Sequence, residues 1–127
     1  MPTRILIVDD SASYRRSVSG LIDDEPDLEV VGTAANFDQA VALARTRRPQ
    51  VAVVDLWMPD AKGIDVTRAL MAECPGLRVL GVSLEPSPKP VAEMCAAGAE
   101  VVLSKGTSND ELIARIRGQA AAQADHS

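Results

Sequence analysis

Five side chains able to do chemistry stand at or near the ends of short apolar runs. Asp9 and Asp10 follow Ile5-Leu6-Ile7-Val8, Asp55 follows Val51-Ala52-Val53-Val54, Ser83 follows Val79-Leu80-Gly81-Val82, and Lys105 comes just after Val101-Val102-Leu103. Three carboxylates, a hydroxyl and a cation describe a site for an aspartyl phosphate and a divalent metal. Carboxylates held together raise one another's pKa unless something cationic sits among them. Mg²⁺ meets that need, since it binds through a few oxygen ligands and keeps several waters. Lys105 adds a point charge on a long stem. A phosphoryl group on Asp55 would then meet the metal, Lys105 and the Ser83 hydroxyl, the clamp that phosphoryl transfer requires. Asp55 is the nucleophile in this chemistry and forms an acyl phosphate. Taken singly, each of these residues reads as a cap, a turn or a solvated charge; their joint placement at four strand ends favours a site.

The elements that must position them alternate regularly. The apolar runs lack polar alternation and are rich in β-branched residues, as in strands of a parallel sheet covered on both faces. Leu28 to Gly32 reads as one more strand. Between the strands, Tyr14, Val18, Leu21 and Ile22 form a helical stripe with Ser11 or Ser13 as N-cap. Phe37, Ala40, Val41 and Ala44 form a second stripe, closing before Pro49. A turn over Met58–Gly63 leads to a third helix from Ile64 to Glu73, stopped by Pro75-Gly76. Pro88 or Pro90 starts a fourth helix, ended by Gly98. Ser108-Asn109-Asp110-Glu111 is a capping-box pattern opening a fifth, with Leu112, Ile113 and Ile116 inward. Five strands alternating with five helices predict an α/β, flavodoxin-like (βα)5 fold. This is a doubly wound parallel five-stranded sheet of order 2-1-3-4-5, two helices on one face and three on the other. Ligands of such sheets bind beyond the carboxyl ends of the strands, so the polar groups share one crevice, with Asp9, Asp10 and Asp55 at the switch point between strands 1 and 3.

Composition narrows the function. A chain of 127 residues, 46% apolar, builds one domain with one substantial core. A net charge of −5 argues against direct nucleic-acid binding. Cys74 and Cys95 have neither metal-ligand nor redox-motif spacing, and no leader or membrane-spanning run occurs, so the reading is a soluble, cytoplasmic protein without membrane contact. The only histidine is His126, in a polar tail, so histidine chemistry must come from a partner. A hydrolase working through an aspartyl phosphate needs a second acid two residues after the nucleophile, where Trp57 stands. A turnover enzyme is therefore not expected. Asp9–Ser13 contains no glycine, which disfavours a dinucleotide-binding turn.

Asp9-Asp10, the stretch Asp55-Leu56-Trp57-Met58-Pro59 with Gly63 beyond it, Ser83 and Lys105 together resemble the receiver domain of bacterial two-component response regulators. The resemblance covers residues 1–118; residues 119–127 read as a tail or the start of a linker. It implies that Asp55 accepts a phosphoryl group from a sensor histidine kinase or phosphotransfer protein. It further implies that Asp10, Asp55 and the backbone carbonyl of Trp57 ligate Mg²⁺, with Asp9 helping through water. Ser83 would move toward the phosphoryl group and relay the change to the face of the fourth helix, fifth strand and fifth helix, where a homodimer would also form. Ala97-Gly98-Ala99 through Ser104-Lys105-Gly106 is more similar to receivers that precede a helix-turn-helix domain. The output is thus either transcription regulation through such a domain or action on protein partners.

Three positions depart from that pattern. Val102 replaces the aromatic residue whose rotamer reports activation. Leu84 stands after the switch hydroxyl where a small residue is usual, which predicts slower reaction with small phosphodonors than with a docked kinase. Trp57 borders the path of the hydrolytic water, which predicts a long-lived phosphoryl group. These departures, with the prolines at 86, 88 and 90, are what a pseudo-receiver would carry, an interaction module that does not use phosphorylation. The complete acidic site with Ser83 and Lys105 speaks against that alternative.

Overall fold

All five residues of the central strand, Val51–Asp55, are buried, because helices cover both of its faces. In the computed structural model, which describes residues 1–119, this strand is β3. It lies between β1 (Thr3–Val8) and β4 (Arg78–Ser83), with β2 (Leu28–Ala34) and β5 (Ala99–Ser104) at the edges. The order is β2-β1-β3-β4-β5 and every pairing is parallel. Five helices make the crossovers: α1 (Ala12–Asp23), α2 (Phe37–Arg47), α3 (Gly63–Glu73), α4 (Pro88–Ala97) and α5 (Asn109–Ile116). Alternate strand residues face opposite sides. Leu6, Val8, Ala52 and Val54 therefore pack with Ala40, Ala44, Val66, Leu70 and Met94 of α2, α3 and α4. Ile5, Ile7, Val51 and Val53 pack with Val18, Ile22, Leu112, Ile113 and Ile116 of α1 and α5. The expected fold and its three-and-two division of helices are both present. Among the described residues no helix is long and apolar enough to cross a membrane.

The edge strands run longer than their apolar residues indicate. β2 continues two residues past Gly32 to Ala34, and β5 begins at Ala99 rather than Val101. Both carry a register shift, opposite Ile5/Leu6 in one ladder and Val79/Leu80 in the other. Val101 and Val102 pack against the two opposite cores, so β5 is apolar on both faces as its sequence suggested, but both side chains are only half-buried. An edge strand needs only one neighbour's backbone to extend it, and its outer positions accept polar side chains. Asp55 and Ser83 are likewise the last residues of their strands, not the first of their loops.

Local signals set the helix starts. Ser11 Oγ accepts from Tyr14 N at 3.2 Å, so Ser11 is the α1 cap and Ser13 is not; the two hydroxyls lie 3.2 Å apart. Ser108 Oγ accepts from Glu111 N at 3.2 Å, but the Glu111 carboxylate pairs with Arg115 at 2.8 Å. Only half of the expected capping box therefore forms. Pro88 opens α4. Gly98 ends it at φ +126°, where an added Cβ would also run into Met71 Sδ.

The opposite end of the sheet is held by arginines. Arg4 donates to the Arg48 carbonyl at 2.8 and 3.0 Å, Arg48 to that of Glu73 at 3.1 Å, and Arg78 to those of Ile116 and Arg115, both at 2.9 Å. These carbonyls belong to the C-cap of α2 and to the last turns of α3 and α5, near the negative end of each helix dipole. Fixing the helix ends at this base leaves the helix starts and strand ends converging at the other.

Candidate functional site

Each acidic residue is set by its place at a strand end. Asp9 N donates to the Ala34 carbonyl at 3.0 Å as β1 finishes. Asp9 Oδ1 then accepts from Ser11 N at 2.9 Å, turning the chain into α1. Arg15, one turn into α1, donates to the Asp9 carbonyl at 2.7 Å. Asp9 is fully buried, Asp55 is 5% exposed and Asp10 is exposed. One carboxylate oxygen from each of the three lies within 4.8 Å of the others. The close turn after β3 depends on Gly63. Its N–H donates to the Leu56 carbonyl at 2.7 Å, and a Cβ there would sit 2.7 Å from Asp55 O and Leu56 Cα.

Lys105 enters from the end of β5. Its backbone N–H donates to the Ser83 carbonyl at 2.8 Å, tying the ends of β4 and β5 together. Its ammonium lies 2.7 Å from Asp9 Oδ2 and 3.7 Å from Asp55 Oδ2. The first contact is a charge pair without hydrogen-bond alignment, which leaves Asp9 Oδ2 buried with no directed donor. Asp10, Asp55, Trp57, Ser83, Leu84 and Lys105 line one crevice of about 500 Å³. Ser83 is 3% exposed, whereas Trp57 and Leu84 stand at the mouth, 53% and 78% exposed. Every residue expected from sequence to form the site borders this crevice or, in the case of Asp9, lies buried against it.

The charges are not balanced among these residues alone. Burial and the neighbouring Asp9 charge push Asp55 up to about 6, against the opposing pull of the Trp57 N–H and Lys105. The Trp57 N–H donates to Asp55 Oδ1 at 3.3 Å. Three hard oxygen donors this close, one of them paired only with the Lys105 ammonium and one resisting ionisation, fit a divalent cation such as Mg²⁺.

Two residues at the site escaped the sequence reading. Tyr14 belongs by spacing to the buried stripe of α1, yet its ring centroid lies 4.6 Å from Lys105 Nζ. Burial, and then the charges of Asp9 and Asp55, push its phenol up to about 12. Arg15 had no assignment. The available signal was position: α1 begins where β1 ends, so an inward residue in its first turn must border the site.

Comparison with known proteins agrees with this geometry. Residues 5–117 match the family model of the response regulator receiver domain. The chain is 40% identical over 75 residues to a protein-glutamate methylesterase/protein-glutamine glutaminase of Idiomarina loihiensis, covering 59% of this chain and 19% of that protein. It is 32% identical over 114 residues to the DNA-binding transcriptional activator DevR/DosR of Mycobacterium tuberculosis, covering 90% of this chain and 52% of the activator. The crystal structure of the response regulator domain of Thermotoga maritima CheB superposes with a TM-score of 0.84 at 31% identity, covering 93% of this chain and 96% of that one. The chain belongs to the response regulator receiver domain family of two-component signal transduction. It spans at most about half the length of these curated relatives.

Proposed function

We propose that this domain is a phosphorylation-dependent switch in which Asp55 accepts a phosphoryl group from the phosphohistidine of a sensor histidine kinase or phosphotransfer protein. One observation carries the reading: Asp55 is held beside two further carboxylates, 3.7 Å from the Lys105 ammonium and in the same crevice as Ser83. An Asp55 oxygen attacks phosphorus, the phosphorus–nitrogen bond breaks, and the donor imidazole leaves with the electron pair. Lys105 is within reach of the transferred oxygens and the Ser83 hydroxyl donates to one of them. Asp10, Asp55 and the Trp57 carbonyl would hold Mg²⁺, with Asp9 assisting. When bound, the ion supplies charge neutralisation for the carboxylates and the incoming phosphoryl group. The module is read as an acceptor and not a turnover enzyme, because Trp57 stands two residues after Asp55, where a hydrolase working through an aspartyl phosphate needs its second acid.

The change is relayed through the face of α4, β5 and α5, which is also the proposed homodimer surface. Because the aromatic switch position is Val102, the relay works through Ser83 and the β4–β5 tie at Lys105. Transcriptional output is supported by the match to a DNA-binding activator over 90% of this chain; DNA contact then belongs to a further domain and not to this acidic module. The test is intact-mass spectrometry after incubation with Mg²⁺ and an autophosphorylated kinase. One phosphoryl group, absent in Asp55→Asn and removed by hydroxylamine, is the expected result. If wild type stays unmodified with kinase and with acetyl phosphate alike, the chain is an interaction module that only keeps the fold.

A further inference from the structure

The position of the Lys105 ammonium is not set by a directed hydrogen bond. Its contacts are the 2.7 Å charge pair with Asp9, the 3.7 Å approach to Asp55 and the face of Tyr14 at 4.6 Å. Coulomb attraction is weakly directional, and a flexible four-carbon stem resists being fixed. Lys105 also borders a second cleft, of about 280 Å³ between α1 and α5, lined by Val18, Leu21 and Leu112 as well as Tyr14. That cleft offers the stem room to withdraw from the carboxylates. Two carboxylates and one aromatic face close the cage around an ammonium whose side chain is only 12% exposed.

We propose that Tyr14 is a positioning residue for phosphoryl acceptance, its ring face holding the Lys105 ammonium over Asp9 and Asp55 and keeping it out of the α1/α5 cleft. The inference rests on the reading of Asp55 as phosphoacceptor. The attraction is between a cation and the ring quadrupole, so the ring matters and the hydroxyl does not. At a largely desolvated site, losing it weakens binding of a phosphoryl mimic about five- to thirtyfold.

Two measurements test this separately from the acceptor reading. The first is NMR of the protein with ¹³Cε-labelled lysine, whose three signals come from Lys62, Lys89 and Lys105 and are assigned with Lys105→Arg. A ring-current upfield displacement of Lys105 that disappears in Tyr14→Leu is expected. A Lys105 signal indistinguishable from those of the other two overturns the cage, whether or not Asp55 accepts phosphate. The second is beryllofluoride affinity in Mg²⁺, followed by Trp57 fluorescence. Tyr14→Phe keeps most of the affinity and Tyr14→Leu loses it by the factor above. Phenylalanines of increasing fluorination at position 14, which hardly alter volume, weaken binding stepwise. A flat response across the fluorinated series, or equal losses for Phe and Leu, overturns the proposal even if wild type binds normally.

Discussion

Replacing Asp55 by asparagine should stabilise the metal-free protein at neutral pH, although it removes the proposed acceptor. The folded environment raises this carboxyl to about 6 from 3.8, chiefly through burial and then through the Asp9 charge. A carboxyl raised on folding is held more tightly protonated in the native state. Its contribution is therefore fully present below about pH 4, where both states are protonated, and is lost as pH rises toward 6, where the native carboxylate must ionise in place. At about 1.36 kcal/mol per pH unit, the gap of roughly two units amounts to about 3 kcal/mol of native-state cost at pH 7.5. Asp55 lines an open crevice, and water there screens part of that cost, so about 3 kcal/mol is its upper limit. Asparagine keeps the shape, can still accept from the Trp57 N–H and carries no charge. Urea unfolding in EDTA is the assay, run on both proteins at pH 7.5 and pH 4. The Asp55→Asn midpoint should be higher by up to about 1–2 M at pH 7.5, given slopes of order 2 kcal/mol per M, and nearly equal at pH 4. A variant no more stable than wild type at pH 7.5, or a gain of the same size at both pH values, refutes the electrostatic reasoning.

Further outcomes follow from single residues at the site. Gly63→Ala places a methyl group 2.7 Å from Asp55 O and Leu56 Cα, both backbone atoms that cannot yield cheaply. It should cost about 2 kcal/mol or more in thermal or urea unfolding and displace Asp55, lowering phosphorylation; a neutral effect would show the turn to be soft. Leu84, 78% exposed at the crevice mouth, should hinder small donors, so Leu84→Ala accelerates labelling by acetyl phosphate severalfold while leaving the kinase reaction nearly unchanged. Equal acceleration of both reactions contradicts that role. Trp57→Asn should shorten the phosphoryl lifetime by opening the route for water, read by loss of the phosphorylated mass with time; a lifetime at or above that of wild type counts against it.

The central part of this molecule was legible because its chemistry sits at strand ends. Four apolar runs announced β1, β3, β4 and β5, and in a doubly wound sheet that alone sends Asp9, Asp10, Asp55, Ser83 and Lys105 to one crevice. What escaped depends on contacts between segments distant in sequence. Tyr14 and Lys105 meet only after β5 and α5 have packed beside α1, and nothing in either segment marks the other. The arginines at the base look like ordinary surface charge until Arg4, Arg48 and Arg78 are seen facing helix carbonyls. The lengths of β2 and β5 were misjudged because an edge strand is extended by backbone hydrogen bonds that apolar patterning does not register. Glu111 satisfied the capping-box spacing, but Arg115, one turn on, offered its carboxylate a charged partner. The notion of residues 119–127 as a tail or linker concerns, apart from Gln119, positions outside the described residues.

The most direct test of the account uses the only tryptophan, two residues from Asp55 and half-exposed at the crevice mouth. Trp57 fluorescence is followed during titration with Mg²⁺ and then with beryllofluoride, in wild type and in Asp55→Asn. The expected result is a saturable response to Mg²⁺ and a second, Mg²⁺-dependent change that the Asp55→Asn protein lacks. No response to either ligand, or a beryllofluoride response that survives in Asp55→Asn, would contradict the assignment of Asp55 as phosphoacceptor.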